Sequence, residues 1–335
     1  MISDNFFENV IKLVNHSKTA LILTHANPDG DALGSGVAVY HYLLSKGIEP
    51  AIVFTTAIPE NLKFILNDEK IISYDTETHS ALFQNTDIIF ILDLSDPERL
   101  REMAEPVLSS HAAKINIDHH LEPKQFADHY LVDSDASSSG ELVWKLLKHD
   151  REYKIDRITA SALYMAIMTD TGSFRFPKTD SEVHKIVSSL IEAGADPVEL
   201  YEEIYNKMSL ESTKLLGEAF AGLRTFYEGK LCLMHIKKDM FARTGAKEED
   251  IENFVERLMT IKGVKVGILV TEVPDRHELR ISFRSKENYS VRELATYFGG
   301  GGHFNAAGTR IKEFVHSESI IEAIITKVAE IFNFS

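Results

Sequence analysis

A chain of 335 residues is longer than one hydrophobic core usually serves, which predicts two domains. Its 44% hydrophobic and 26% charged residues exclude a disordered protein, and a net charge of −15 excludes one that coats long nucleic acid through a basic surface. A single cysteine, Cys232, excludes an internal disulfide framework and a cysteine-built zinc site; it reads as a small buried strand residue.

In chain order, Met1 to Asn15 carries Asp4 and Glu8 and no basic region, so no signal peptide is expected and the cytoplasm is the expected location. Ala20 to Thr24 reads as a buried strand, followed by a polar loop and a helical stretch from Ser35 to Ser45. Ala51 to Thr55, Asp87 to Asp93 and Ala113 to Asp118 read as further strands. The apolar run Ile88 to Leu92 is far short of the ~20 residues a membrane span needs. Helices are expected over Gly140 to Lys148, with Trp144 in the core, and over Arg157 to Thr169. Strands spaced by helices predict an α/β fold with a doubly wound, mainly parallel sheet.

Past an acidic, mostly helical segment from Ser181 to Lys214, the pattern changes. Strands are expected at Lys230 to Ile236, Val264 to Val273 and Glu278 to Arg284, with Pro274 to His277 as a turn. Helices are expected near Glu248 to Thr260, Val291 to Phe298 and Ser319 to Phe332. This order predicts a smaller α/β domain with a mixed sheet. The expected division is a first domain over residues 1–190, a helical linker over 191–214 and a second domain over 215–335.

The placement of polar residues carries the functional information. His25, Asp29 and Asp31 follow the first strand, Asp93 ends another, and Asp118, His119 and His120 end a third. Ligands of open α/β sheets bind beyond the carboxyl ends of the strands, so these groups share one edge. Each has a plain reading alone: Asp31 as a helix cap, Asp93 as an acceptor for loop amides, Asp170 as a helix end. Together Asp29, Asp31, Asp93, Asp170, His25 and His119 offer four carboxylates and two imidazoles. Such an oxygen-rich set suits Mn²⁺ better than Zn²⁺, with Mg²⁺ or Co²⁺ as alternatives. Two divalent ions ~3.5–4 Å apart can clamp both oxygens of a phosphoryl displacement and supply an attacking hydroxide.

His25-x-x-x-Asp29-x-Asp31, Asp93, Asp118-His119-His120 and Asp170 resemble the four motifs of the DHH phosphoesterase family. The resemblance implies a first metal on His25 and Asp29 with Asp93 bridging, and a second on Asp31, Asp93, His119 and Asp170. It implies that Asp118 orients the histidines and that His120 touches the phosphate or protonates the leaving oxygen. Phe298-Gly-Gly-Gly-Gly-His303-Phe-Asn-Ala-Ala-Gly308 resembles the DHHA1 motif. There Gly299, Gly300, Gly301 and Gly302 are expected to form an anion nest, with His303 and Arg284 as phosphate donors, and catalysis is implied in a cleft between the domains. Arg175, Phe174 and Phe176, just after Asp170, have two readings. Either they contact a phosphate and a base, or the rings pack the core and Arg175 pairs with an acid. Phe298 and Phe304 share the ambiguity.

The compact pairing of the two motifs resembles the stand-alone members that degrade short RNA (nanoRNA) and dephosphorylate 3′-phosphoadenosine 5′-phosphate (pAp). The implied partners are short RNA or DNA oligonucleotides or small nucleotides, with no membrane and no long nucleic acid, and a homodimer is left open. The alternatives are a phosphodiesterase of pApA or cyclic di-AMP, and a nucleotide-binding regulatory protein without turnover.

Overall fold

Strands whose two alternating sets of side chains are both apolar must be covered on both faces. The computed structural model, which describes residues 4–79, 81–121, 123–274, 276–312 and 316–334, shows how the first half achieves this. The strands are β1 (Thr19–Leu23), β2 (Glu49–Phe54), β3 (Ile71–Ser73), β4 (Ile88–Leu92), β5 (Ala113–Asp118) and β6 (His129–Val132). They lie in the order β3-β2-β1-β4-β5-β6, and every described pairing is parallel. The connection reverses direction between β1 and β4, so the switch-point crevice opens beyond those two strand ends.

The helices here are α1 (Asp4–His16), α2 (Gly30–Ser45), the short α3 (Thr76–His79) and α4 (Ala104–Leu108), α5 (Ser139–His149), α6 (Arg157–Asp170), α7 (Ser181–Glu192) and α8 (Pro197–Tyr205). Ala20, Ile22, Ile52, Phe90 and Ile115 face one layer, meeting Val10, Val37, Leu142, Leu163, Ile186 and Leu200 of the long helices. The alternate residues Leu21, Leu23, Val53, Ile89 and Ile91 meet Phe83, Leu100, Met103 and Val107 on the other side. Trp144 packs, partly buried, against the first layer.

Three glycines bring the helices of that layer together. A Cβ at Gly34 of α2 would collide with the Ala162 carbonyl of α6. One at Gly30 would meet the Thr169 side chain at 2.5 Å, and one at Gly140 of α5 would meet Ala166 Cβ at 2.5 Å. The amino ends of α2 and α5 therefore converge on the carboxyl end of α6.

The chain divides into units Met1–Lys207 and Met208–Ser335. The stretch 191–214, expected as a linker, is shared out: Leu200 and Ile204 of α8 sit in the first core, and the helix α9 (Leu210–Ala221) begins the second unit. There follow β7 (Arg224–Phe226), β8 (Leu231–Ile236), α10 (Lys238–Thr244), α11 (Phe254–Leu258), β9 (Val266–Glu272), β10 (Glu278–Ser285), α12 (Val291–Tyr297), β11 (Gly301–Gly302), β12 (Ala306–Lys312) and α13 (Ser317–Phe332). The sheet runs β11-β12-β10-β9-β8-β7, parallel at β8–β9 and antiparallel at the other described pairings. Leu231, Val270, Ile281 and Phe283 pack with α12 and α13, while Cys232, Met234 and Leu269 pack with α9, α10 and α11.

This is the expected α/β class, with a parallel sheet and a second, mixed one. The helix expected over Glu248 to Thr260 is broken: a 3₁₀ turn ends at Ile251, Asn253 turns left-handed at φ 63°, and α11 starts afresh at Phe254. Among the described residues, no helix is long and apolar enough to cross a membrane.

Gly34→Val should overpack the α2–α6 contact and lower stability by about 1–3 kcal/mol. A urea titration checks this, and an unchanged midpoint would mean the two helices are free to separate.

Candidate metal and catalytic site

Each of the four sequence segments that carry acids and imidazoles in the first unit ends at the same place. His25 leaves β1, and its Nδ1 donates to the Ala26 carbonyl at 2.9 Å, so in the neutral ring Nε2 is the nitrogen that carries the lone pair. That Nε2 is buried and lies 3.3 Å from Asp93 Oδ2 and 3.7 Å from Asp29 Oδ2, with no well-formed hydrogen bond to either. A donor atom aimed at two carboxylates and bonded to neither fits a cation held among the three.

Asp29 divides its two oxygens. Oδ1 caps α2 by accepting from the amides of Asp31 and Ala32 at 3.1 and 3.0 Å, and Oδ2 faces His25. The helix cap is thus Asp29, not Asp31. Asp31 is fully buried inside the first turn of α2 and takes three donors: the Ser139 amide at 2.7 Å, the Gly140 amide at 2.8 Å and Ser35 Oγ at 3.2 Å. The amino end of α5 therefore points at this carboxylate, as helix dipoles favour.

Asp93 takes a left-handed φ of 59°, rare for a residue with a side chain and a mark of a position set by its surroundings. Its Oδ1 accepts from Ser139 Oγ at 3.2 Å and lies 3.6 Å from His119 Nε2. His119 Nε2 also faces Asp170 Oδ2 at 3.4 Å and Asp31 Oδ2 at 3.8 Å. Two sets of donors thus lie side by side, His25 with Asp29 and Asp93, and Asp31 with His119 and Asp170; each set has its atoms within 4.8 Å of one another.

Asp118, the buried last residue of β5, accepts from Nδ1 of His120 at 2.6 Å. It orients His120; Nδ1 of His119 and Asp118 Oδ2 make no hydrogen bond among the described residues. Nε2 of His120 meets Arg99 Nη1 at 3.4 Å.

Ser139, Gly140, Ser35 and Arg99 were not among the residues expected from sequence. The Ser137-Ser-Ser-Gly140 run ahead of an apolar helical pattern was a visible helix start, with Ser138 as its cap. Arg99, in a 3₁₀ turn after β4, carries no such signal.

The electrostatics follow from crowding. Burial, then the charges of Asp93, Asp170 and Asp29, push the Asp31 carboxyl well above its ordinary range. Burial and Asp93 likewise push Asp170, at the carboxyl end of α6, up to about 8. Burial works to raise Asp93 as well, but the close approach and charge of His25 outweigh it and hold Asp93 below its usual range. Burial works against charge on His25, yet Asp29 and Asp93 raise it to about 10. Burial lowers His119. For His120, burial is outweighed by Asp118 and Asp93, and its pKa rises.

The second unit treats its expected residues differently. The amides of Gly299 and Gly300 donate to Thr296 and Ala295, closing α12, and that of His303 donates to Ala306 at 2.7 Å. Gly301 and Gly302 form the strand β11 against β12. The amides of Gly299, Gly300 and His303 are thus spent inside the fold, and the glycines serve close packing. A Cβ at Gly300 would strike the Gly308 carbonyl, and one at Gly302, φ 142°, would lie 2.5 Å from Ala307 Cα. His303 is exposed on this hairpin. Arg284 is held by Glu256, at 2.8 Å from Nε and 2.7 Å from Nη2, and donates to the Phe283 carbonyl. Phe298 is half-buried against the core and Phe304 is exposed. In the first unit Phe174 packs against the core, Phe176 is exposed, and Arg175 Nε donates to the Gly172 carbonyl instead of pairing with an acid.

Family models match both units: "DHH family, N-terminal domain" over residues 19–167 and "DHHA1 domain" over residues 231–333. The bifunctional oligoribonuclease and PAP phosphatase NrnA of Bacillus subtilis is 28% identical over 324 residues, covering 96% of this chain and 98% of that protein. The cyclic-di-AMP phosphodiesterase PdeA of Listeria monocytogenes is 22% identical, covering 92% of this chain and 47% of that one. Among solved structures, an exopolyphosphatase-related protein from Bacteroides fragilis superimposes with a TM-score of 0.91 at 29% identity, covering 98% of this chain and 96% of that one. Fold, donor set and matches define a hydrolase acting on phosphoester bonds. The chain belongs to the DHH family, with DHHA1 as its second domain.

The raised groups set a pH dependence for the metal-free protein. The native state keeps the Asp170 proton up to about 8, whereas an unfolded aspartate releases it near its ordinary value of about 4. Native protein thus binds more protons in that window, and stability falls as pH rises through it. His25, raised to about 10, contributes stability that is full below its ordinary value of about 6.5 and lost towards pH 10. Both slopes have one sign, so the melting temperature without metal should fall from pH 6 to pH 9. Added Mn²⁺ should flatten that fall, because a divalent cation displaces the same protons. Scanning calorimetry with and without the ion checks both; a rising metal-free curve would contradict the assignment.

Proposed function

We propose that this chain hydrolyses short oligonucleotides to mononucleotides and pAp to AMP, with two Mn²⁺ ions in the first unit. The observation that carries the metal is the pair of adjoining donor sets, His25–Asp29–Asp93 and Asp31–His119–Asp170, at the switch point of the sheet. The end-to-end match to a protein named for both activities supports the substrate class. When bound there, divalent cations would polarise the phosphoryl oxygens and lower the pKa of an attacking water.

The chain's own groups would do the rest. Asp118 holds a proton on Nδ1 of His120 and so fixes the ring, while the raised pKa favours a second proton on Nε2. In this reading that Nε2–H would pass to the departing oxygen. Once both carry hydrogens, Nε2 and Arg99 Nη1 are two donors 3.4 Å apart, and a phosphoryl oxygen entering between them accepts from both. In the second unit, exposed His303 is the candidate for a further phosphate contact. Arg284 would contribute only after leaving Glu256.

A second reading, hydrolysis of pApA or cyclic di-AMP, is favoured by the match to the cyclic-di-AMP phosphodiesterase. A nucleotide-binding protein without turnover would be expected to have lost donors, and here each expected donor is present. The test is a panel with Mn²⁺: pAp, pApA, RNA of two to five residues, cyclic di-AMP and pyrophosphate. Mononucleotides from short RNA together with phosphate from pAp are expected; activity confined to the di-adenylates would transfer the protein to the second reading. Asp93→Ala removes the carboxylate that both donor sets adjoin, so turnover should drop by at least about a hundredfold. A near-normal rate in that variant would sink the metal assignment.

A further inference from the structure

The loop that leaves α6 after Asp170 is built for more than a chain reversal. Gly172, Ser173 and Phe174 are successive left-handed residues at φ 56°, 57° and 63°, a conformation that side-chain-bearing residues rarely adopt. It is held by backbone bonds from Gly172 to Thr169, from Ser173 to Met168 at 2.8 Å, and from Arg175 and Phe176 to Thr171 at 3.0 Å. The turn sends the two phenylalanines apart. Phe174 packs inward, edge-on to Tyr164 at 5.7 Å. Phe176 lies over Gly172, where a Cβ would meet three of its ring carbons at 2.5 to 2.8 Å, and it stays 53% exposed.

A lone exposed aromatic is ordinary. Here, however, the backbone takes three left-handed residues to place the ring, and a glycine keeps the space beneath it clear. The ring sits on a residue two positions from Asp170. Exposed Lys178 follows, and its charge acts on both Asp170 and His119. Arg175 is fastened to the same glycine at 2.6 Å. An aromatic face with cations beside it is the combination that holds a nucleotide: the ring stacks on the base and the cations face its phosphates.

We propose that Phe176 is the stacking platform for the nucleobase of the nucleotide whose phosphate lies at the aspartate–histidine cluster. It would then separate nucleotide esters from inorganic phosphoanhydrides, which offer no base. This rests on the nucleotide reading above and names the group that recognises its base.

The test compares binding of AMP and of ribose 5-phosphate to the full chain in Mn²⁺ by calorimetry, for wild type, Phe176→Ala and Phe176→Trp. The two ligands differ by the base alone. Wild type and Phe176→Trp should prefer AMP, and Phe176→Ala should lose about tenfold or more of that preference. A wild type without preference for AMP, a preference that survives in Phe176→Ala, or an equal weakening of both ligands in that variant would overturn the proposal. These ratios need no turnover, so failure of the substrate panel is read separately.

Discussion

Carboxylates crowded together and largely buried repel one another, and the first unit is organised around offsetting that repulsion. The offsets are unequal. Asp31 receives two amides from the start of α5 and a serine hydroxyl. Asp29 receives two amides from the start of α2, and Asp93 is balanced by His25. Asp170 stands at the carboxyl end of α6, where the helix dipole adds to the repulsion, and burial with the charge of Asp93 pushes its pKa up to about 8. A cluster left short of positive charge in this way favours a cation on electrostatic grounds, and the imidazoles beside it are suitable partners for one.

Holding that arrangement requires three helix ends at one point, which bulky side chains would forbid. Gly30 and Gly34 of α2 and Gly140 of α5 lie against α6 where no Cβ fits. Gly30 adjoins Asp31 in sequence and packs on Thr169, the neighbour of Asp170, so these contacts help decide where the two carboxylates stand. The sheet contributes the other half: the chain leaves β1 towards β2 and β4 towards β5, in opposite directions along the sheet, and His25 and Asp93 stand where these connections part. Core packing and site geometry are the same constraint seen from two ends.

The strand ends were legible because a buried parallel strand is an unbroken apolar run, and the first polar residue after it marks the edge of the sheet. That rule located His25 and Asp93 without knowledge of strand order, whereas β5 carries Lys114 and Asn116 inside it and was legible from its isoleucines. It could not show which helices converge, and so it missed the Ser139 and Gly140 amides and gave the capping role to Asp31 in place of Asp29. Arg99 was invisible for a different reason: a lone arginine in an irregular turn has no period to betray its direction. The glycine run was legible as a place needing backbone freedom, but not why. An anion nest and a hairpin packed against a helix end demand the same residue, and only the destinations of the amides separate them.

The net charge of −15 bears on what such a site can accept. A long polyanion would meet repulsion along most of the surface, and only its reacting end would meet cations. A nucleotide or a very short oligonucleotide presents few charges outside the site, so with the proposed metal ions bound, their attraction and that of Arg99 and Lys178 would outweigh the distant repulsion, which salt screens within about 10 Å. Selection by length then needs no steric gate. Under the proposed function, each added phosphate beyond reach of the site would contribute repulsion and no compensating contact, so the net negative charge would favour short substrates by itself.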